Sequence, residues 1–111
     1  MTTLIEGDLT IPSPAPRQCQ RLGLSEDLGT VVAVVSHGVW EGVHHVEARE
    51  GDDEVVVTAY VGTLRDIAER QARGEAMNFV MTSVLRPFRV ELTTPLGDRS
   101  LRDGALGDGR A

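Results

Sequence analysis

Three imidazoles, His37, His44 and His45, fall between positions 37 and 45, with Glu41 between the first two and Glu47 just after the last. Imidazole nitrogens and carboxylates are the donors of zinc-type metal sites and the partners of general acid–base chemistry, so any reactive centre would be sought here first. A metal site would join His37 to His44 across a turn, with Glu41 or Glu47 completing it. His44 and His45 are adjacent, however, and on a regular strand they face opposite sides. One ion reaches both only if the strand bulges, as Gly42 would permit. Neither His-Glu-x-x-His nor paired Cys-x-x-Cys occurs. The expectation is therefore no metal and no cofactor, with His37 and His44 the residues that would hold an ion if one bound.

The same imidazoles would suit a pH sensor. Glu41, Glu47, Glu50, Asp52, Asp53 and Glu54 lie close in sequence, and carboxylates raise the proton affinity of a neighbouring imidazole. Cys19 stands between Arg17 and Arg21, which would lower its pKa slightly, but no general base with an orienting acid is near it in sequence. Ser36 beside His37 is not a triad, because folding rather than adjacency positions triad partners. Trp40, the only tryptophan, reads either as a core ring or as an anchor for a partner. Trp40, His44 and His45 are thus the candidate binding residues.

These side chains need strands to hold them. Glu54 to Val61, Glu-Val-Val-Val-Thr-Ala-Tyr-Val, is the strongest strand signal, bounded by Gly51-Asp52-Asp53 and by Gly62. Val39 to Arg49 should pair with it as an antiparallel hairpin through Glu50 to Asp53. On this strand Val43, His45, Glu47 and Arg49 share one face, and His44, Val46 and Ala48 the other. Thr30 to Ser36 is a continuous apolar run, consistent with a strand buried on both faces, and it should pair with the histidine strand through the Gly38 to Gly42 turn. Phe88 to Thr93 alternates apolar and polar, and Arg99 to Leu101 is a candidate last strand. Phe79 to Leu85 also reads as strand, and Pro87 demands a bulge, an edge position or a break.

One helix is expected at Thr63 to Arg73, with Thr63 as cap, Asp66 three residues on, an apolar face of Leu64, Ile67, Ala68 and Ala72, and Gly74 as its stop. Arg65, Glu69, Arg70 and Arg73 form its solvated face, Glu69 and Arg73 having the favourable spacing for an ion pair. Residues 1–29 read as an N-terminal arm: Pro12, Pro14 and Pro16 favour extended geometry and lack ladder N–H groups, so the arm is peripheral. Residues 30–102 form the β-rich domain. Residues 103–111, rich in glycine, read as a disordered tail.

At 111 residues the chain is one domain that can build a core without disulfides, and its single cysteine excludes an internal disulfide framework. Aromatic residues are only 4%, so valine, leucine and alanine must fill the core. The net charge is −6 and all eleven basic residues are arginine. An acidic chain repels phosphate backbones and anionic lipid, so nucleic acid and membrane are not expected partners. Arg86, Arg89, Arg99 and Arg102 do gather late in the chain, and should form a solvated face with carboxylates. No apolar run approaches membrane-spanning length, and Glu6 and Asp8 stand where a secretory signal would be basic, which points to the cytoplasm.

The run from Glu54 through Gly62 to Phe88-Arg-Val-Glu-Leu-Thr-Thr-Pro-Leu-Gly-Asp-Arg-Ser-Leu-Arg-Asp-Gly104 resembles small uncharacterised actinobacterial proteins with a final Val-x-Leu-x-x-Pro-Leu-Gly-Asp-Arg hairpin. Many of those look secreted or lipid-anchored, whereas in this chain no signal segment is expected and a helix is expected in the variable connection. The resemblance implies a fold unit and supplies no catalytic residue.

The fold class that follows is α+β and β-dominated: five or six mostly antiparallel strands in a sandwich or half-open barrel, with one helix at about 63–73. The function expected is a non-catalytic binding or interaction module for a protein or small-molecule partner. A two-fold homodimer is expected as well, because Thr30 to Ser36 carries nothing that blunts an exposed edge. The alternative is a small enzyme using His37, His44 or His45 with Glu41 or Glu47 in a sheet concavity.

Overall fold

A computed structural model describes residues 1–75 and 82–106. It is a two-sheet sandwich of eight strands and one helix. The strands are β1 (Thr2–Glu6), β2 (Ala15–Arg17), β3 (Arg21–Leu24), β4 (Thr30–Gly38), β5 (Glu41–Glu50), β6 (Glu54–Thr63), β7 (Ser83–Glu91) and β8 (Ser100–Asp103). Helix α1 (Arg65–Ala72) follows β6, and a short 3₁₀ turn (Gly104–Leu106) follows β8.

The larger sheet runs β1-β5-β6, and the outer edge of β6 is shared end to end by β2, antiparallel, and β8, parallel. The smaller sheet runs β3-β4-β7. Valine supplies the middle of the sandwich, as the scarcity of aromatic residues requires. Val31, Ala33, Val35 and Val90 of one sheet meet Val43, Val46, Ala48, Val55, Val57, Ala59 and Val61 of the other, with Ile5, Leu22, Phe88 and Leu101 packed around them. β-Branched side chains are stiff and fit the pleat, so such a layer closes at little rotamer cost.

The β5–β6 hairpin forms as its turn chemistry dictates, but β4 does not pair with β5. The two-residue link Val39-Trp40 carries the chain from one sheet to the other, so the ladder expected to bring His37 beside His44 is absent. β4 is buried on one face only: Val31, Ala33, Val35 and His37 point inward, while Val32, Val34 and Ser36 are half-buried. It lies between β3 and β7, so its apolar run is interior to the sheet. At its centre the Val34 carbonyl accepts from the Gln20 N–H at 2.7 Å and so points towards β3. Pro87, opposite Val34, therefore sits where β7 makes no ladder bond to β4, and its missing N–H falls on the outer edge, where no strand pairs among the described residues.

The arm is part of both sheets. β1 pairs with β5 from Thr2↔Arg49 to Glu6↔His45, β2 pairs with β6, and β3 with β4. Ile11 is buried against Gly42 and Gly62. The prolines confine β2 to three residues at an edge without excluding it from the sheet. At the other end, Asp103 is buried at the end of β8, where its carboxylate accepts from the Cys19 N–H at 2.7 Å and the Ala105 N–H at 2.9 Å. The expected tail thus begins later than residue 103, and its residues 107–111 lie outside the described residues. So do residues 79–81 of the strand expected at Phe79 to Leu85; β7 itself starts at Ser83. The Val90 to Arg99 segment is a crossover between sheets and not a hairpin, since β7 and β8 lie in different sheets.

Helix α1 is shorter than expected. Thr63 is the last residue of β6, Leu64 occupies the N-cap without a side-chain cap, and Ile67 is the buried anchor. Gly74, at φ +77°, stops the helix, with Gly74 N–H bonded to Gln71 O and Glu75 N–H to Arg70 O. Arg73 pairs with Glu75 at 2.7 Å in place of Glu69.

Candidate functional site

The solvent face of the larger sheet is where the histidines meet. On β5 the pairing to β6 shifts between Val43, opposite Val61, and His45, opposite Tyr60, so His44 is an extra residue in a β-bulge. The bulge breaks the two-residue alternation. Val43, Val46 and Ala48 are buried, while His44 and His45 are both half-buried on the outer side. The expected faces of β5 are corrected accordingly, and the bulge lies at His44 and not at Gly42.

The returning arm shapes this bulge. Gly7 N–H donates to His44 O and Asp8 N–H to Val43 O, both at 2.9 Å. A Cβ at residue 7 would overlap the Val43 carbonyl oxygen, so only glycine allows this approach. The His44 and His45 Nδ1 atoms stand 2.7 Å apart, with the rings inclined at 73°. Since two bare nitrogens cannot bond, one imidazole carries a proton on Nδ1 and the other accepts it. His45 also stacks on Tyr60, ring centroids 4.3 Å apart and planes 14° apart, an arrangement that fixes its ring orientation.

Charge surrounds the pair unevenly. Glu6 is opposite His45 on β1, and Glu47, one side-chain step along β5, is paired with Arg49 at 3.1 Å. Asp8 accepts from the Thr10 hydroxyl at 2.6 Å and the Thr10 N–H at 3.0 Å. Those bonds, with His44 and Arg65 adding in the same direction, hold its carboxyl below the usual range. The His45 imidazole is also held below its usual range, by burial first and by the charge of His44 second, with Glu47 opposing. The neighbouring acids were expected to push it upward; desolvation outweighs them.

The other candidates lie elsewhere. His37 is buried at the end of β4, its Nδ1 donating to Gly38 O at 2.8 Å, and its Nε2 has no partner among the described residues. Glu41 is held by Arg17 through two bonds of 2.8 and 2.7 Å and by the Gly38 N–H at 2.8 Å. These contacts, the Arg17 bonds foremost, bring its carboxyl pKa down to about 2. Among the described residues no carboxylate is hydrogen-bonded to an imidazole. Trp40 occupies the link between β4 and β5, its carbonyl accepting from Leu64 N–H at 3.0 Å; it is about 13 Å along the strand from the histidine pair. Cys19 is buried, and burial together with Asp103 pushes its thiol up to about 12, the reverse of an activated nucleophile.

The late arginines do not make one face. Arg99 lies beside Glu50 at 3.6 Å and donates to the Leu96 and Pro95 carbonyls, Arg102 pairs with Glu54, and Arg86 lies over Phe88. Two surface cavities accompany these features. One of about 310 Å³ lies on the histidine face near the β5–β6 turn, with Met1, Arg49, Glu54 and Arg102 in its wall; one of about 340 Å³ lies by Gln20, Arg21, Val34 and Leu85. Neither wall contains an imidazole.

Sequence reasoning picked out His44 and His45 but not Gly7, Asp8 or Tyr60, which build their surroundings. The available signal was a Gly-Asp pair ending an apolar strand opposite a histidine pair, and it is visible only once β1 is known to lie beside β5. Among the described residues, no group of three His, Cys, Asp or Glu side chains is arranged to hold a metal ion, and no helix is long and apolar enough to cross a membrane. No protein family, curated protein or solved structure matches this chain.

Proposed function

We propose that this chain is a non-catalytic binding module whose recognition surface is the solvent face of the larger sheet around His44, His45 and Tyr60. The observation that carries the reading is the bulge at His44. It turns two adjacent imidazoles to one side, where a regular strand would present one. With one proton between the Nδ1 atoms, the neutral pair offers one Nε2–H donor and one bare Nε2 acceptor beside an aromatic ring, a compact set for a polar or planar group of a partner. A cytoplasmic setting, in which the buried Cys19 stays reduced, belongs to the same reading. The enzyme alternative draws less from this geometry, because Arg17 already occupies Glu41 and Arg49 already occupies Glu47.

A homodimer in this fold is best served by β1. Among the described residues no strand pairs with its outer edge, no proline interrupts it, and Leu4 is 56% exposed on it. Antiparallel pairing centred on Leu4 sets Glu6 against Thr2 of the second copy, so no like charges meet. Light scattering at tens of micromolar tests this, a constant monomer mass on dilution refuting it. The recognition surface is tested by screening a fragment library against ¹⁵N-labelled protein. Shift changes should converge on Leu4, Glu6, His44, His45, Glu47 and Tyr60, and convergence on the Val32, Val34 and Leu85 side of the smaller sheet would sink the proposal.

A further inference from the structure

We infer that the His44–His45 pair is a two-imidazole site for a divalent first-row transition ion of tetragonal preference, copper(II) foremost. This deepens the binding-module reading and rests on it. The geometry decides the class of ion. Two nitrogens about 2.0–2.1 Å from one ion stand roughly 2.9 Å apart when they subtend a right angle, as in square-planar or tetragonal sites, and roughly 3.3 Å apart in a tetrahedron. The Nδ1 atoms are 2.7 Å apart. A right-angle chelate needs the pair opened by about 0.2 Å and both rings turned so that each Nδ1 lone pair aims at one shared point, whereas tetrahedral zinc needs a wider separation as well.

The site is built, and its parts come from β5, β6 and the residue that follows β1. The bulge sets both imidazoles outward, Gly7 N–H holds the His44 carbonyl, and Tyr60 stacks on His45. Neither imidazole has another hydrogen-bond partner among the described residues, so each Nδ1 gives up only the other when an ion enters. The donor imidazole moves its proton to Nε2, leaving both rings neutral and both Nδ1 lone pairs free. Carboxylates at Glu6, Asp8 and Glu47 make the surroundings favourable to a cation, while Arg49 and Arg65 offset part of that. With no third protein donor grouped here among the described residues, the remaining positions fall to water or to a carboxylate or imidazole of whatever the face binds. The ion would thereby be the point of attachment for such a partner.

The test is titration of the full, tag-free chain with copper(II), nickel(II) and zinc(II), followed by calorimetry and, for copper, by electron paramagnetic resonance. One equivalent of copper is expected, with an axial spectrum showing coupling to two nitrogens, and with nickel bound more tightly than zinc. His44→Gln and His45→Gln should each weaken copper binding at least tenfold. His37→Gln, in the other sheet, should leave it within twofold. Circular dichroism of each variant separates loss of ligand from loss of fold, and copper-induced broadening of the Gly7, His44, His45 and Tyr60 amides in the unaltered chain locates the ion without any substitution. Copper binding that survives both glutamine variants, broadening confined to other residues, or zinc held more tightly than nickel would overturn the assignment. If no ion binds while fragments still map to this face, the metal inference fails and the binding-module reading stands.

Discussion

Arg17 and Glu41 join three parts of the fold, and replacing Glu41 by glutamine should expose how much that junction matters. Arg17 ends β2 and Glu41 begins β5, and the Gly38 N–H at the end of β4 shares the same carboxylate. A carboxyl lowered from 4.5 to about 2 corresponds to a ceiling of about 3 kcal/mol. The side chains remain 37% and 28% exposed, and screened pairs contribute far less than such a ceiling, although two-pronged geometry and the Gly38 bond place this one above an ordinary surface pair. About 1.5 kcal/mol is the expected loss in Glu41→Gln at pH 7, near 6 °C in Tm for a chain of 111 residues.

The pH dependence supplies the sharper check. Because the folded pKa is depressed, the stabilisation is complete above about 4.5 and disappears as pH falls towards about 2. The gap between the unaltered chain and Glu41→Gln should therefore be full at pH 7 and close between pH 4.5 and 2, even as other carboxylates destabilise both proteins. Urea unfolding followed by Trp40 fluorescence measures the gap, and a cycle with Arg17→Met isolates the pair. A gap under 0.5 kcal/mol at pH 7, or one that is the same at pH 7 and pH 2.5, refutes the reasoning.

Three further outcomes follow from the same contacts. Deleting residues 1–16 removes β1, most of β2 and the Ile11 plug, so the cooperative thermal transition should be lost; a truncated chain that melts within 5 °C of the full one on calorimetry contradicts this. Cys19, with its thiol at about 12, should react with a disulfide reagent at pH 8 only at the rate of unfolding, and complete labelling within a minute under native conditions argues against its burial. Gly7→Ala must displace the Val43 carbonyl, so it should cost about 2 kcal/mol and shift the His44 and His45 ring signals together, whereas unchanged ring signals would show the bulge to be independent of the arm.

Much of the sandwich is legible locally. The Gly51-Asp52-Asp53 turn between two valine-rich segments fixes the β5–β6 hairpin, and Gly74 fixes the end of α1, because both signals are backbone chemistry within a few residues. The assignment of strands to sheets is not local. Val39-Trp40 looks like a hairpin link, yet β4 pairs with β7, distant in sequence, and β5 pairs with the distant β1 on one side and with its hairpin neighbour β6 on the other. The arm's strands all lie at sheet edges, but their partners are illegible for the same reason: Thr2–Glu6 is too short to declare itself, and its pairing depends on a strand some forty residues on.

The histidine pair shows why a site can be half visible. His44 and His45 are identifiable by residue type, but their shared orientation is decided by a bulge that no residue of β5 dictates. Two carbonyls of that bulge are taken by Gly7 and Asp8, so the site geometry and the docking of the arm are one structural event. Arg17 then fastens the far side of the same arm to Glu41, three residues before His44 on β5. Loosening Arg17 should therefore weaken the fold without rotating the rings, since the bulge is held by Gly7 and not by the ion pair. Altering Gly7 should do both. Comparing Glu41→Gln with Gly7→Ala separates stability from site geometry: equal disturbance of the His44 and His45 ring signals in the two variants would mean that the whole arm, rather than the Gly7 contact, sets the imidazoles side by side.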